Sequence, residues 1–154
     1  MLTPSHIDHA WIANHIPHQG SMCLLDNVTS WSEQAVCCRA SSHRALDNPL
    51  RSDERLAAAC GIEYAAQAMA IHGALTAPPN NPRAKVGYLV SVRGTRLLTA
   101  RLDDITADLD ITATCTLRSG DNVLYAFSVA AAGRTLLEGR ATVVLDAGGT
   151  RKLS

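Results

Sequence analysis

Two ionisable residues are set apart by their neighbours. The first is His18, in residues 14–26, "NHIPHQGSMCLLD", where it stands between Pro17 and Gly20 just ahead of an apolar run. Proline fixes the approach of the chain and glycine loosens the backbone beyond it, an arrangement suited to a histidine held still with one face open. The second is Glu63, the only formally charged residue between Arg55 and Arg83. A carboxylate in so apolar a stretch is costly unless it is paired, hydrogen-bonded or protonated, and proteins tune acids for catalysis in such places. A held histidine and a tuned carboxyl group are the parts of general acid–base chemistry. Each also has a plainer reading. His18 would then be a loop histidine bonded to backbone, and Glu63 a helix-end residue that reaches solvent or pairs with an arginine.

The elements that must position these residues can be read from local pattern. Residues 56–77, "LAAACGIEYAAQAMAIHGALTA", are alanine-rich, lack proline and stop at "PPNNP", which predicts a helix of about four to five turns. Being apolar on all sides, it should be wrapped by the sheet. Gln67 falls at i+4 from Glu63, on the same stripe. Glu63 falls in the first turns after the Cys60–Gly61 pair, where unpaired backbone N–H groups could polarise a carbonyl oxygen. Upstream, Pro4 and Ser5 begin a short helix over residues 4–15, with strands over 22–30 and 34–41 and a loop over 43–55 containing Asn48-Pro49. Downstream, four β-type runs, the later ones separated by Ser119-Gly120-Asp121 and Gly133, predict hairpins. The order of elements is α+β with an antiparallel sheet, one domain over residues 1–154.

Composition narrows the function. The chain has 154 residues with 14 Lys+Arg against 14 Asp+Glu and no net charge, which weakens any nucleic-acid role. Its two Trp, three Tyr and one Phe leave a core of small aliphatic groups that a partner subunit could finish. Cys23, Cys37, Cys38, Cys60 and Cys115 are odd in number and form no C-x-x-C pair, so they read as reduced thiols. The N-terminus lacks the layout of a secretory signal, and no run approaches the roughly 20 apolar residues of a membrane span. A cytoplasmic protein is expected. His6, His9, His15 and His18 make two H-x-x-H pairs, and helical pairs at that spacing can share a metal. Pro17 should end a helix before His18, however, and no cysteine or carboxylate stands at a supporting interval, so neither metal nor cofactor is expected.

Taken together, "IPHQGSMCLLD" and "CGIEYAAQAMAIHGAL" resemble the proline-histidine segment and the central helix of the hotdog-fold 3-hydroxyacyl-acyl-carrier-protein dehydratases. The similarity is greatest to an atypical dehydratase-like subgroup of aryl-polyene and related fatty-acid-type pathways. The final "EGRATVVL" resembles that family's last strand, and the likeness covers roughly residues 14–146. The resemblance implies a long central helix inside a curved antiparallel sheet. It implies a homodimer in which the histidine and glutamate of each site come from different subunits. His18 would take the C2 proton of a 3-hydroxyacyl thioester, and Glu63 would protonate the leaving C3 hydroxyl. Cys60, Gly61 and Gln67 are expected to bind substrate, and an acyl carrier protein bearing a phosphopantetheine-linked chain is the expected partner. The basic residues Arg83, Lys85, Arg93, Arg96 and Arg101 are a candidate docking surface for it. Two departures stand out: Gln19 where the common dehydratases have arginine, and "LDNPLRSDERLAAACG" with no glycine before Gly61. The competing readings are a hotdog thioesterase using Glu63, a hydratase on a coenzyme A ester, and a non-catalytic hotdog subunit.

Overall fold

The computed structural model describes residues 7–18, 20–77 and 86–146. A first helix, α1 (His9–His15), leads into a hairpin of β1 (Asn27–Trp31) and β2 (Ala35–Ala40). The long helix α2 (Gly61–Leu75) comes next, then β3 (Val86–Leu97), β4 (Leu109–Ser119), β5 (Asn122–Ala131) and β6 (Arg134–Asp146). The six strands form one sheet in the order β1-β2-β4-β5-β6-β3, antiparallel throughout. This is the α+β class that the sequence predicts, with the later strands joined at the turns it marks.

Helix α2 lies against the sheet, and the core forms between them. Tyr64, Ala65, Ala68 and Ile71 meet Val36, Ile111, Ala113, Val129 and Leu137, all fully buried. No residue of the helix is fully exposed, but Ile62, Glu63, Ala66, Ala70, Gly73 and Ala74 are only half-buried. The sheet therefore covers most of the helix and leaves one stripe partly open. Helix and sheet approach closely at Gly61, where a Cβ would sit 2.6 Å from Leu137 Cδ2.

Three boundaries differ from expectation. The long helix expected over residues 56–77 is Gly61–Leu75, because Ala58–Cys60 form a 3-10 turn ahead of it. Helix α1 begins at His9, because Asp8 is the residue that caps it: its carboxylate accepts the Trp11 N–H at 3.0 Å. Residues 4–6 lie outside the described residues. Strand β1 begins at Asn27, because Gly20–Met22 form a 3-10 turn that starts from a left-handed Gly20 (φ 57°). The segment behind it, Cys23–Leu25, is buried without pairing in the sheet.

Two buried side chains fix the loops that flank α2. His43 shares its Nε2–H between the carbonyls of Ile105 and Ala107, each at 3.0 Å, and burial pulls its basicity down, so it is neutral. Asp103 accepts the Leu56 N–H at 2.9 Å, just before α2, and is clamped by the Arg101 guanidinium. The hydrogen bonds from Arg101 hold its carboxyl well below the usual carboxylate range. A depressed folded-state value stabilises the fold above the ordinary carboxylate range, and that contribution fades as pH falls through it. Asp103→Asn should therefore lower the melting temperature at neutral pH, with the gap to the unsubstituted protein closing below about pH 4. Thermal unfolding followed by circular dichroism across that range checks it.

Candidate active site

The chain turns sharply after α1. Ile16, ahead of Pro17, is extended (φ −117°, ψ 158°) as a residue before proline must be, and the helix stops there. His18 then falls beside the first turn of α2. Its Nε2 lies 2.9 Å from Glu63 Oε1, with side-chain exposures of 24% and 33%. His18 Nδ1 is buried and has no hydrogen-bond partner among the described residues.

What brings the two together is Gln67, one turn beyond Glu63 and fully buried. Its Nε2 donates to the Met22 carbonyl at 2.7 Å and to Glu63 Oε1 at 3.3 Å, while its Oε1 accepts the Leu24 N–H at 2.9 Å. Tyr64 holds the same segment from the other side. Ser42 donates to the Leu24 carbonyl at 2.8 Å, so the Tyr64 hydroxyl, 2.7 Å away, donates to Ser42 and accepts from Asn48 at 3.0 Å. Both backbone groups of Leu24 are thus tied to α2, and His18 lies only six residues upstream. Burial raises the Tyr64 hydroxyl's pKa, keeping it a neutral donor.

His18 and Glu63 stand at a cavity of about 510 Å³ that runs along the half-open stripe of α2. Met69 and Gly73 of the helix line it, with Tyr125 of β5 and Val143 of β6 opposite. The volume lies within the roughly 300–1,000 Å³ of small-molecule sites. Beneath it, His72 donates Nε2–H to the Ser32 carbonyl at 3.0 Å, so its Nδ1 accepts the Tyr125 hydroxyl at 2.7 Å. Burial lowers the basicity of His72 and raises the pKa of Tyr125. This pair is neutral framework.

A family model described as ApeP-like, ApeP dehydratase, matches residues 10–150. The chain belongs to the ApeP-like dehydratase family. Among solved structures, the dehydratase heterocomplex ApeI:P from Xenorhabdus doucetiae contains a chain similar to it. That chain has a TM-score of 0.78 at 21% identity over 89% of this chain and 91% of that one. A thioesterase from Pseudomonas aeruginosa is similar at TM-score 0.59 and 8% identity, over 79% and 81% of the two chains. A hypothetical thioesterase with coenzyme A from Streptococcus pneumoniae is similar at TM-score 0.58 and 11% identity, over 79% and 85%. At these identities the likeness is one of fold, and the fold is the hotdog. No curated protein matches the sequence.

Against this ApeP-like frame, several expectations need correcting. The resemblance implies a histidine and a glutamate from different subunits; within this one chain His18 and Glu63 already lie 2.9 Å apart, because the Gln67 amide draws the His18 loop onto its own helix. Cys60 and Gly61 do not offer free amides: Cys60 N–H donates to the Ala57 carbonyl at 2.9 Å, and Gly61 N–H to those of Ala58 and Ala59. The cause is a 3-10 turn, Ala58–Cys60, that runs straight into α2 and uses these donors internally. Gly61 faces Leu137, not the cavity, and the Cys60 thiol, its pKa raised by burial, points towards the Leu50 carbonyl. Gln67, expected to touch substrate, has its amide spent on protein groups and positions the site instead.

Gln19, and Arg83 and Lys85 of the basic run, lie outside the described residues. Of the rest of that run, Arg96 pairs with Glu138 at 3.2 Å and Arg101 with Asp103. Asp110 lies inside β4. In the histidine pairs, His9 Nδ1 donates to the Leu25 carbonyl at 2.9 Å and His15 Nδ1 to that of Trp11 at 2.7 Å. Among the described residues no three His, Cys, Asp or Glu side chains converge as a metal site would require. His6 is outside them. The cavity-lining residues of β5 and β6 escaped sequence reasoning, since Val143 and Tyr125 alternate there as ordinary core positions do. Only Gly73, a glycine inside a helix, carried a signal.

Replacing Gln67 by Leu should orphan the Met22 carbonyl and the Leu24 N–H, at about 1–3 kcal/mol for each buried group. Urea unfolding would measure the loss, and a Tyr64→Phe chain should lose less, since Ser42 keeps its bond to Leu24.

Proposed function

We propose that this ApeP-like chain dehydrates a 3-hydroxyacyl thioester carried on acyl carrier protein to the trans-2-enoyl thioester. The observation that carries the proposal is the His18–Glu63 contact of 2.9 Å at a largely apolar cavity, in a chain of a dehydratase family. In the starting state Glu63 is protonated and His18 Nε2 is bare. The C2–H bond breaks as its proton passes to Nε2, the C2–C3 double bond forms, and the C3–O bond breaks as Glu63 delivers its proton. Water leaves. The pair is then imidazolium and carboxylate, and the direct contact lets the proton return from Nε2 to Glu63 Oε1, resetting both groups. Gln67 keeps Oε1 in place through this cycle. The carbonyl-polarising donor is not among the amides of Cys60 and Gly61.

An acidic carrier suits the outer face of the sheet. Arg93 of β3 and Arg140 of β6 are exposed and directly opposite in register, a like-charged pair that an anionic partner would relieve. A second hotdog subunit, in a homodimer or a larger assembly, suits the edge strand β3, where Tyr88, Leu89 and Val90 are 41%, 40% and 55% exposed. The five cysteines are free, which suits a cytoplasmic place, and no helix of the described residues is long and apolar enough to cross a membrane. An aryl-polyene or fatty-acid-type pathway is the setting that the family suggests.

The test is the intact mass of an acyl carrier protein loaded with a 3-hydroxyacyl chain, before and after incubation. Loss of one water is expected, and His18→Ala and Glu63→Gln should each slow it by about 100- to 10,000-fold while the chain stays folded. Loss of the whole acyl group would make the protein a thioesterase. An unchanged mass would favour a non-catalytic subunit.

A further inference from the structure

Gly73 lies ten residues beyond Glu63 on α2, about 15 Å along the axis at 1.5 Å per residue. A glycine inside a helix lowers stability relative to alanine, so its presence asks for a compensating reason. Conformation does not supply one, because Gly73 is helical and is not among the glycines with positive φ. Close packing does not supply one either. A Cβ on Gly61 would collide with Leu137, but a Cβ on Gly73 would meet nothing within 4 Å outside its own stretch of helix. The volume a side chain would take there is cavity.

We propose that Gly73 is a specificity-determining residue, keeping the cavity open well past the catalytic pair so that long acyl chains lying along α2 are accepted. Ala70 and Ala74 stand near it on the helix, and Val123, Val143 and Leu145 of the sheet line the same cavity together with Arg118 and Asp121; the aliphatic part of that lining suits hydrocarbon. With C2 and C3 at His18 and Glu63, the distal carbons of a long chain reach Gly73 and those of a short one do not. The inference rests on the acyl-thioester reading above and adds the chain class to it.

The experiment compares the unsubstituted protein with Gly73→Leu and Gly73→Ala on 3-hydroxyacyl thioesters of four and fourteen carbons. Displacement of a fluorescent fatty acid by tetradecanoate is measured in parallel. Gly73→Leu should lose about tenfold or more in kcat/KM on the long chain and stay within about twofold on the short one, and it should bind tetradecanoate more weakly. Gly73→Ala should raise the melting temperature and show a smaller loss of the same kind, so that a folding defect cannot account for it. Equal effects on both lengths, or none on either, would overturn the proposal. If the unsubstituted protein dehydrates neither chain but Gly73→Leu still weakens tetradecanoate binding, the length limit stands and the dehydratase reading falls. If it dehydrates both chains and Gly73→Leu does not discriminate, the length limit falls and the dehydratase reading stands.

Discussion

A single primary amide ties the two halves of the site together. Gln67 spends one N–H on the Met22 carbonyl, one on Glu63, and its oxygen on the Leu24 N–H. Because the amide is fully buried, none of these bonds has water as a ready substitute, and each unmade bond would leave an orphaned polar group. The chain segment carrying His18 is therefore held against α2 by the same side chain that orients the carboxylate. Tyr64 and Ser42 repeat the arrangement at the Leu24 carbonyl. The segment between Met22 and Leu25 is neither helix nor strand, and these side chains satisfy backbone groups that secondary structure would otherwise serve.

The placement of Glu63 resolves a conflict between burial and charge. Deeper in α2 its carboxylate would be desolvated among alanines, which is costly. In the first turn it has Gln67 and His18 as partners and keeps a third of its side chain exposed. The same half-open stripe continues along the helix as the cavity. Site and cavity are thus two consequences of one packing choice: a helix of small residues that the sheet does not wholly cover.

Much of this could be read from the residues, and the reasons it stops are physical. The hairpins around Gly120 and Gly133 are local events set by turn chemistry, so the sequence marks them. The isolation of Glu63 and the bracketing of His18 are likewise local. The role of Gln67 is not, since an amide at i+4 from a carboxylate can face substrate or backbone equally well. The choice depends on residues more than forty positions earlier. The amides at Cys60 and Gly61 looked free because a helix start normally leaves donors unpaired, and the 3-10 turn that consumes them has no sequence mark. That His18 and Glu63 meet within one chain was likewise beyond the pattern, because the family likeness carries roles and not the path of this loop.

The pairing of His18 and Glu63 within one chain is the central claim, and subunit complementation tests it most directly. The His18→Ala and Glu63→Gln chains, each inactive alone, would be mixed under conditions that exchange subunits and assayed for loss of water from a 3-hydroxyacyl carrier. If one chain supplies both groups, every site in the mixture lacks one of them and the mixture stays inactive. Recovery of activity on mixing would mean that each site draws its histidine and its glutamate from different chains, and would contradict the account.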